Sequence, residues 1–149
     1  MLRFRFFAPL LALVVIASFL PLGSASAAES ATGQLQSYPS QFATSCSSRA
    51  HPEPGDVGEV TLSRADNLVS VHVEFRATPN TTYRVGLSCI AELGEITTDS
   101  NGVGIGDFQH TVAQNQSTFG VALRTVTPSA NFVATQKDLN LPYQPNTGK

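Results

Sequence analysis

Val69-Ser70-Val71-His72-Val73-Glu74-Phe75-Arg76 alternates apolar and polar side chains without a break. Side chains on a strand point to opposite faces in turn, so this stretch predicts a half-buried β-strand with Val69, Val71, Val73 and Phe75 inward. Before it, Val57 to Ser63 reads as a second strand, and Arg64-Ala65-Asp66-Asn67 as the turn between them. After it, Thr78-Pro79-Asn80 is a turn signal. Proline presets its own φ, and asparagine tolerates the left-handed region. Tyr83, Val85, Leu87 and Cys89 then alternate with Arg84, Gly86 and Ser88, which predicts a third strand with Cys89 on its apolar face.

The same reading extends toward the C-terminus. Glu95 to Asp99 is β-prone and runs into Ser100-Asn101-Gly102. Asn-Gly between such segments predicts a hairpin, with Val103 to Phe108 as the returning strand. Ser117 to Val126 and Asn131 to Thr135 complete the set. No segment carries a helical period. Six to seven short strands with frequent turns predict an all-β sandwich or small barrel, and an antiparallel sandwich is favoured because several strands have one polar face. The core domain is expected over 57–136, preceded by an irregular arm at 28–56 and followed by a loose tail at 137–149. The arm is rich in Ser, Ala, Thr, Gln and Pro, a composition that buries little on its own, with room for a short strand around Leu35 or Phe42.

Residues 1–27 have a different character. Arg3 and Arg5 precede an apolar run from Phe6 to Leu22, and Ala25-Ser26-Ala27 follows. A cationic start, an apolar middle and a small-residue exit define a secretory signal peptide. The run is shorter than the roughly 20 apolar residues of a spanning helix, and Pro9 and Pro21 interrupt or bound it. The expected location is therefore extracellular or periplasmic, with no stable membrane insertion after cleavage. Cleavage removes two of nine basic residues and none of eleven acidic ones, so the net charge moves from −2 to −4. The remaining chain, about 120 residues long, suits one domain. No basic stripe exists to neutralise phosphates, which excludes a nucleic-acid partner.

Export also governs the cysteines. In an oxidising compartment the two of them, Cys46 and Cys89, are expected to pair as a disulfide. Closing a loop of about 44 residues is worth roughly 4 kcal/mol on the chain-entropy estimate.

Pro79-Asn80-Thr81-Thr82-Tyr83-Arg84-Val85-Gly86-Leu87-Ser88-Cys89 and Ile96-Thr97-Thr98-Asp99-Ser100-Asn101-Gly102-Val103-Gly104 together resemble secreted bacterial immunoglobulin-like and fibronectin-like domains. They also resemble part of the neocarzinostatin-type apoproteins. The resemblance implies an immunoglobulin-like sandwich, and for the second family a cleft that holds a small chromophore. It departs from the apoproteins in allowing one disulfide rather than two, and from antibody domains in lacking Trp. It transfers no functional residue.

No catalytic motif emerges. Asp99, Asn101 and Asp107 are oxygen donors, but His110 stands where a calcium loop needs its bidentate Glu. His51, His72 and His110 are scattered. Tyr38, Tyr83 and Tyr143 are possible ring platforms, with Tyr83 assigned to the core by its alternation. Gly102, Gly104 and Gly106 leave one strand face bare, for a packing ring or a ligand. Asn80-Thr81-Thr82 and Asn115-Gln116-Ser117 match glycosylation sequons, which are read as chance occurrences.

The expected role is a non-enzymatic binding or structural module of the envelope or extracellular space, with no cofactor and no metal. Its partner is a protein, glycan or small molecule that the sequence does not identify. Loops 64–67, 78–82 and 109–117 are the expected contact surface, with Asn67, Pro79, Asn80 and Asn115 as candidates. Two alternatives stand beside it. A small-molecule carrier requires an apolar cleft between sheet and loops. A small hydrolase, or an inhibitor of one, is the other; the hydrolase form requires a Ser or Asp beside one of the histidines.

Overall fold

The computed structural model describes residues 28–38, 56–126 and 132–145. Residues 1–27, expected to be an export signal, and Cys46 and His51 lie outside the described residues. Among the described residues ten strands follow one another: β1 (Glu29–Tyr38), β2 (Asp56–Ala65), β3 (Leu68–Arg76), β4 (Thr82–Leu87), β5 (Ala91–Thr97), β6 (Val103–Thr111), β7 (Thr118–Phe119), β8 (Val121–Thr125), β9 (Phe132–Thr135) and β10 (Leu139–Asn140). The fold is all-β and every described strand pair is antiparallel.

Eight strands share one hydrogen-bonded sheet in the order β5-β4-β8-β9-β1-β2-β3-β6, and β7 pairs with β10 in a small separate ribbon. The two outermost strands of the large sheet, β5 and β6, are consecutive in the chain. A short turn joins them, and Asp99 N–H donates to Val103 O at 2.8 Å. The sheet therefore curls until its edges meet. Its two halves face each other across one core, where the Phe75 ring of β3 meets the Tyr83 ring of β4 edge-on at 5.1 Å.

The alternation of β3 is realised in full: Val69, Val71, Val73 and Phe75 are buried, and the residues between them are not. β2 supplies Val60 and Leu62 to the same core, β4 supplies Tyr83, Val85 and Leu87, and β8 supplies Val121 and Leu123. Gly104 and Gly106 lie where the edges meet. A Cβ on Gly104 would stand 2.5 Å from the Phe75 ring, and one on Gly106 would stand 2.7 Å from Ile96 Cδ1. The bare glycine face is thus covered by packed side chains, since a larger residue would push the two edges apart.

Several expectations are corrected. Residues 29–38, part of the expected irregular arm, form β1, which sits between β9 and β2 in the sheet. Its register shifts between Leu35 and Gln36, where its pairing passes from β2 to β9. Such bulges bend a strand and increase its twist, which lets one strand serve both halves. Arg64 and Ala65 belong to β2, so only Asp66-Asn67 make the turn to β3. The Asn101-Gly102 turn forms, but β6 pairs with β3 and not with β5. Ser117 to Val126 is broken at Gly120, and its two pieces join different sheets. The expected loose tail contains β10 and the fully buried Leu141. Cys89 is exposed in the β4–β5 turn at φ 59°, because the strand ends at Leu87. No cysteine among the described residues is a free thiol.

Candidate functional site

The outer face of β1, β2, β3 and β6 is built from short polar side chains set in rows by the strand register. One row reads Thr32, Thr61, His72, Asp107, and the next reads Ser30, Ser63, Ser70, Gln109. Each position is outward because its neighbours along the strand fill the core. Cross-strand hydrogen bonds fix both rows. His72 Nδ1 lies 2.7 Å from Asp107 Oδ1. Gln109 Nε2 donates to Ser70 Oγ at 3.3 Å, and the hydroxyls of Thr32 and Thr61 meet at 3.3 Å. Thr61, Ser63, Ser70, His72, Asp107 and Gln109 line a shallow depression of about 540 Å³.

An ionised carboxylate can only accept, so the His72 nitrogen facing Asp107 carries the proton. In the neutral imidazole the other ring nitrogen, Nε2, is then an acceptor. Asp107 thereby selects the imidazole tautomer, the same task a carboxylate performs beside a catalytic histidine. The pair is exposed, with 48% and 81% of the two side chains accessible. It is accordingly a weak contributor to stability.

The sequence-level candidates divide between the two ends of the wrapped sheet. Asn67 belongs to the β2–β3 turn, its backbone oxygen accepts from Val112 N–H, and its side-chain Oδ1 is buried without a partner. Asn115 lies in the adjoining loop 112–117. Arg64 ties this end together. Its side chain is only 3% exposed and donates to the carbonyls of Asp66, Ala113, Gln114, Gln116 and Leu141. Tyr143 stacks on the guanidinium at 5.4 Å.

Pro79 and Asn80 are exposed at the opposite end. There Asn80 N–H donates to Asp99 O, and the Thr98 hydroxyl donates to Thr78 O at 2.6 Å while accepting from Thr81 N–H. The four loop candidates therefore do not form one surface. The oxygen donors also separate. Asp99 Oδ1 accepts from the backbone N–H groups of Asn101 and Val103, each at 2.8 Å. The Val103 bond is the largest cause holding its carboxyl below the usual value. Asp107 instead faces His72 on the β3–β6 face. Tyr83 and Tyr38 are buried, and Tyr143 covers Arg64, so none of the three forms an open ring platform.

A second depression, of about 450 Å³, lies over β4, β5 and β8. Arg84 and Arg124 face each other there in register, and Arg84 reaches Glu95 at 3.4 Å. Sequence reading missed both depressions because their rows join residues far apart in the chain. The one available signal was the polar phase of the β3 alternation, which identified His72 as outward but not what stood beside it.

No family model, curated protein or solved structure matches this chain.

Proposed function

We propose that this protein is a secreted, non-enzymatic binding module of the cell envelope or extracellular space, and that the outer face of β2, β3 and β6 is its contact surface. The observation that carries this reading is the pair of hydrogen-bonded polar rows around His72 and Asp107. Their side chains are held in place before any partner arrives, which lowers the entropy cost of binding. The all-β, antiparallel sheet wraps nearly into a barrel around one core, an architecture compatible with the immunoglobulin-like sandwich that the resemblance implies. All three described depressions lie on its outside, whereas a carrier would need a cleft within. The export reading of residues 1–27 supplies the location, and a Cys46–Cys89 bridge suits it.

The test places lysines on the face, as Thr61→Lys with Ser70→Lys. Retention of the mature protein on purified cell-wall material from the producing organism should fall at least about tenfold, a loss of 1.4 kcal/mol. Thr97→Lys, on the opposite half of the sheet, should leave it unchanged. Equal retention of all variants would remove the reading. Intact mass should also lack residues 1–27 and rise by two hydrogens on reduction.

One observation favours a hydrolase as the second reading. Asp107 stands within hydrogen-bond reach of His72, as that reading requires. The nearby hydroxyls of Thr61 and Ser70 are bonded to Thr32 and Gln109 instead. Ester hydrolysis by the mature protein that disappears in His72→Ala would establish this reading over the first.

A further inference from the structure

We infer that the depression around His72 and Asp107 takes a vicinal diol, the unit that neutral sugars and polyols present. This rests on the reading of that face as the contact surface and names its ligand class. The argument is an inventory of hydrogen-bonding groups. His72 Nδ1 is committed to Asp107. With the imidazole neutral, His72 Nε2 and the second Asp107 oxygen remain as two acceptors on the same exposed pair. Gln109 has committed one N–H to Ser70 Oγ, which leaves its amide oxygen as a further acceptor. The hydroxyls of Thr61, Ser63 and Ser70 both donate and accept.

The site is therefore rich in acceptors and supplied with amphoteric hydroxyls. A fitting ligand brings two or more donors close together and accepts as well. Two neighbouring hydroxyl groups do both, one toward Asp107 and one toward His72 Nε2. A phosphate or carboxylate brings only acceptors and negative charge toward Asp107, and no Lys or Arg lines the depression. An ammonium group brings donors but accepts nothing, so the hydroxyls of Thr61 and Ser70 would gain less from it. Among the described residues, the one aromatic side chain besides His72 that lines the depression is Phe108, which is partly buried against the core, and Tyr38 and Tyr83 are buried; no set of rings is placed to cage a cation. Recognition is then edge-on and through hydrogen bonds. Bonds to a charged group are the stronger ones, so Asp107 should dominate.

The test is a titration of the ¹⁵N-labelled mature protein, followed by amide and imidazole chemical shifts. The probes are maltohexaose, cellohexaose, chitohexaose and mannitol, with spermidine and inorganic phosphate as counter-probes. At least one neutral probe should give saturable shifts centred on Thr61, Ser70, His72 and Asp107. Asp107→Ala and His72→Ala should each weaken that binding at least about tenfold, while Thr97→Ala should not change it. Both variants remove an exposed pair, and thermal unfolding should confirm that they remain folded.

The inference is overturned if no neutral probe gives saturable shifts, if the shifts map elsewhere, or if spermidine or phosphate alone moves these amides. The lysine variants separate the two layers. Should they abolish wall retention while every neutral probe fails, the face is the contact surface and the diol assignment is wrong. Should retention survive them, the contact-surface reading fails as well.

Discussion

The two ends of the wrapped sheet are closed by opposite kinds of chemistry. At one end a single buried cation, Arg64, collects carbonyls from the β2–β3 turn, from loop 112–117 and from the C-terminal segment, up to 77 residues away in sequence. At the other end closure is nearly local. Asp99 caps the backbone two and four residues ahead, and Thr98 bridges to the β3–β4 loop across 17 and 20 residues. The first end needs the whole fold to exist before its interactions form. The second can begin from a short piece of chain. A buried guanidinium is stable only when its donors are occupied, and five carbonyls with an aromatic ring achieve that.

The largest effect should come from Arg64→Met. It keeps much of the apolar stem and deprives the carbonyls of their donor. A loss of about 3 kcal/mol or more is expected in urea unfolding, since each buried unpaired group costs about 1–3 kcal/mol. Faster exchange should appear at the Leu141 amide, which is bonded to Ser117 O. A variant within about 1 kcal/mol of the parent would break the contrast, because the cage would then be incidental.

Gly102→Ala tests the opposite end. Gly102 has φ 79°, and a Cβ there would collide with the Ala77 carbonyl oxygen, to which no flexible side chain could yield. A loss of about 1–3 kcal/mol is expected, without the C-terminal exchange signature. If Leu141 also exchanged faster, the two ends would be coupled rather than independent.

Thr98→Val should be milder. It removes a buried hydroxyl that serves Thr78 O and Thr81 N–H but keeps the shape, for about 1–2 kcal/mol by thermal unfolding.

The smallest effect is the acid response of Asp99. Its folded value lies below the ordinary one, so its stabilisation is complete above the ordinary carboxylate range. It is lost as pH falls through the lowered value. A carboxyl NMR titration should give Asp99 a midpoint below 3.8, together with a shift of the Val103 amide. A midpoint at or above 3.8 would show that the local cap is not made in solution.

The contrast between the ends explains what was readable. Asp99-Ser100-Asn101-Gly102 announces its turn because the groups that stabilise it lie within five residues. β3 announces its inward face because alternation is a property of the strand itself. Arg64 was placed in a turn because a charged residue beside Asp-Asn ordinarily belongs there. Nothing nearby showed that five carbonyls would meet it. β1 was legible only as room for a short strand around Leu35, for a related reason. Its inward positions are Ala31, Gly33 and Leu35, small at two of three, because β2 and the C-terminal segment supply the bulk. A Cβ on Gly33 would lie 2.8 Å from Leu139 Cδ2. The partner of β6 was misassigned because turn chemistry fixes the reversal of the chain but not which strand lies next to it.

The candidate site shows the same division. His72 was legible as an outward residue, and loops 64–67, 78–82 and 109–117 were the expected contact surface because binding surfaces usually lie on loops. The Asp107 beside it, and the Ser70–Gln109 row next to it, come from β3–β6 register across 35 and 39 residues. The loop candidates Asn67 and Asn115 share an end, whereas Pro79 and Asn80 occupy the other.

By itself, then, the sequence determined the all-β class, the buried phase of β3 and the Asn-Gly turn, all of which rest on interactions within a few residues. Tertiary structure decided that the strands wrap as one sheet, that Arg64 is a buried tie, that residues 29–38 join both halves, and that His72 meets Asp107. Each of those depends on strand register. Register is set by which apolar faces fill one another and by where the sheet's edges meet.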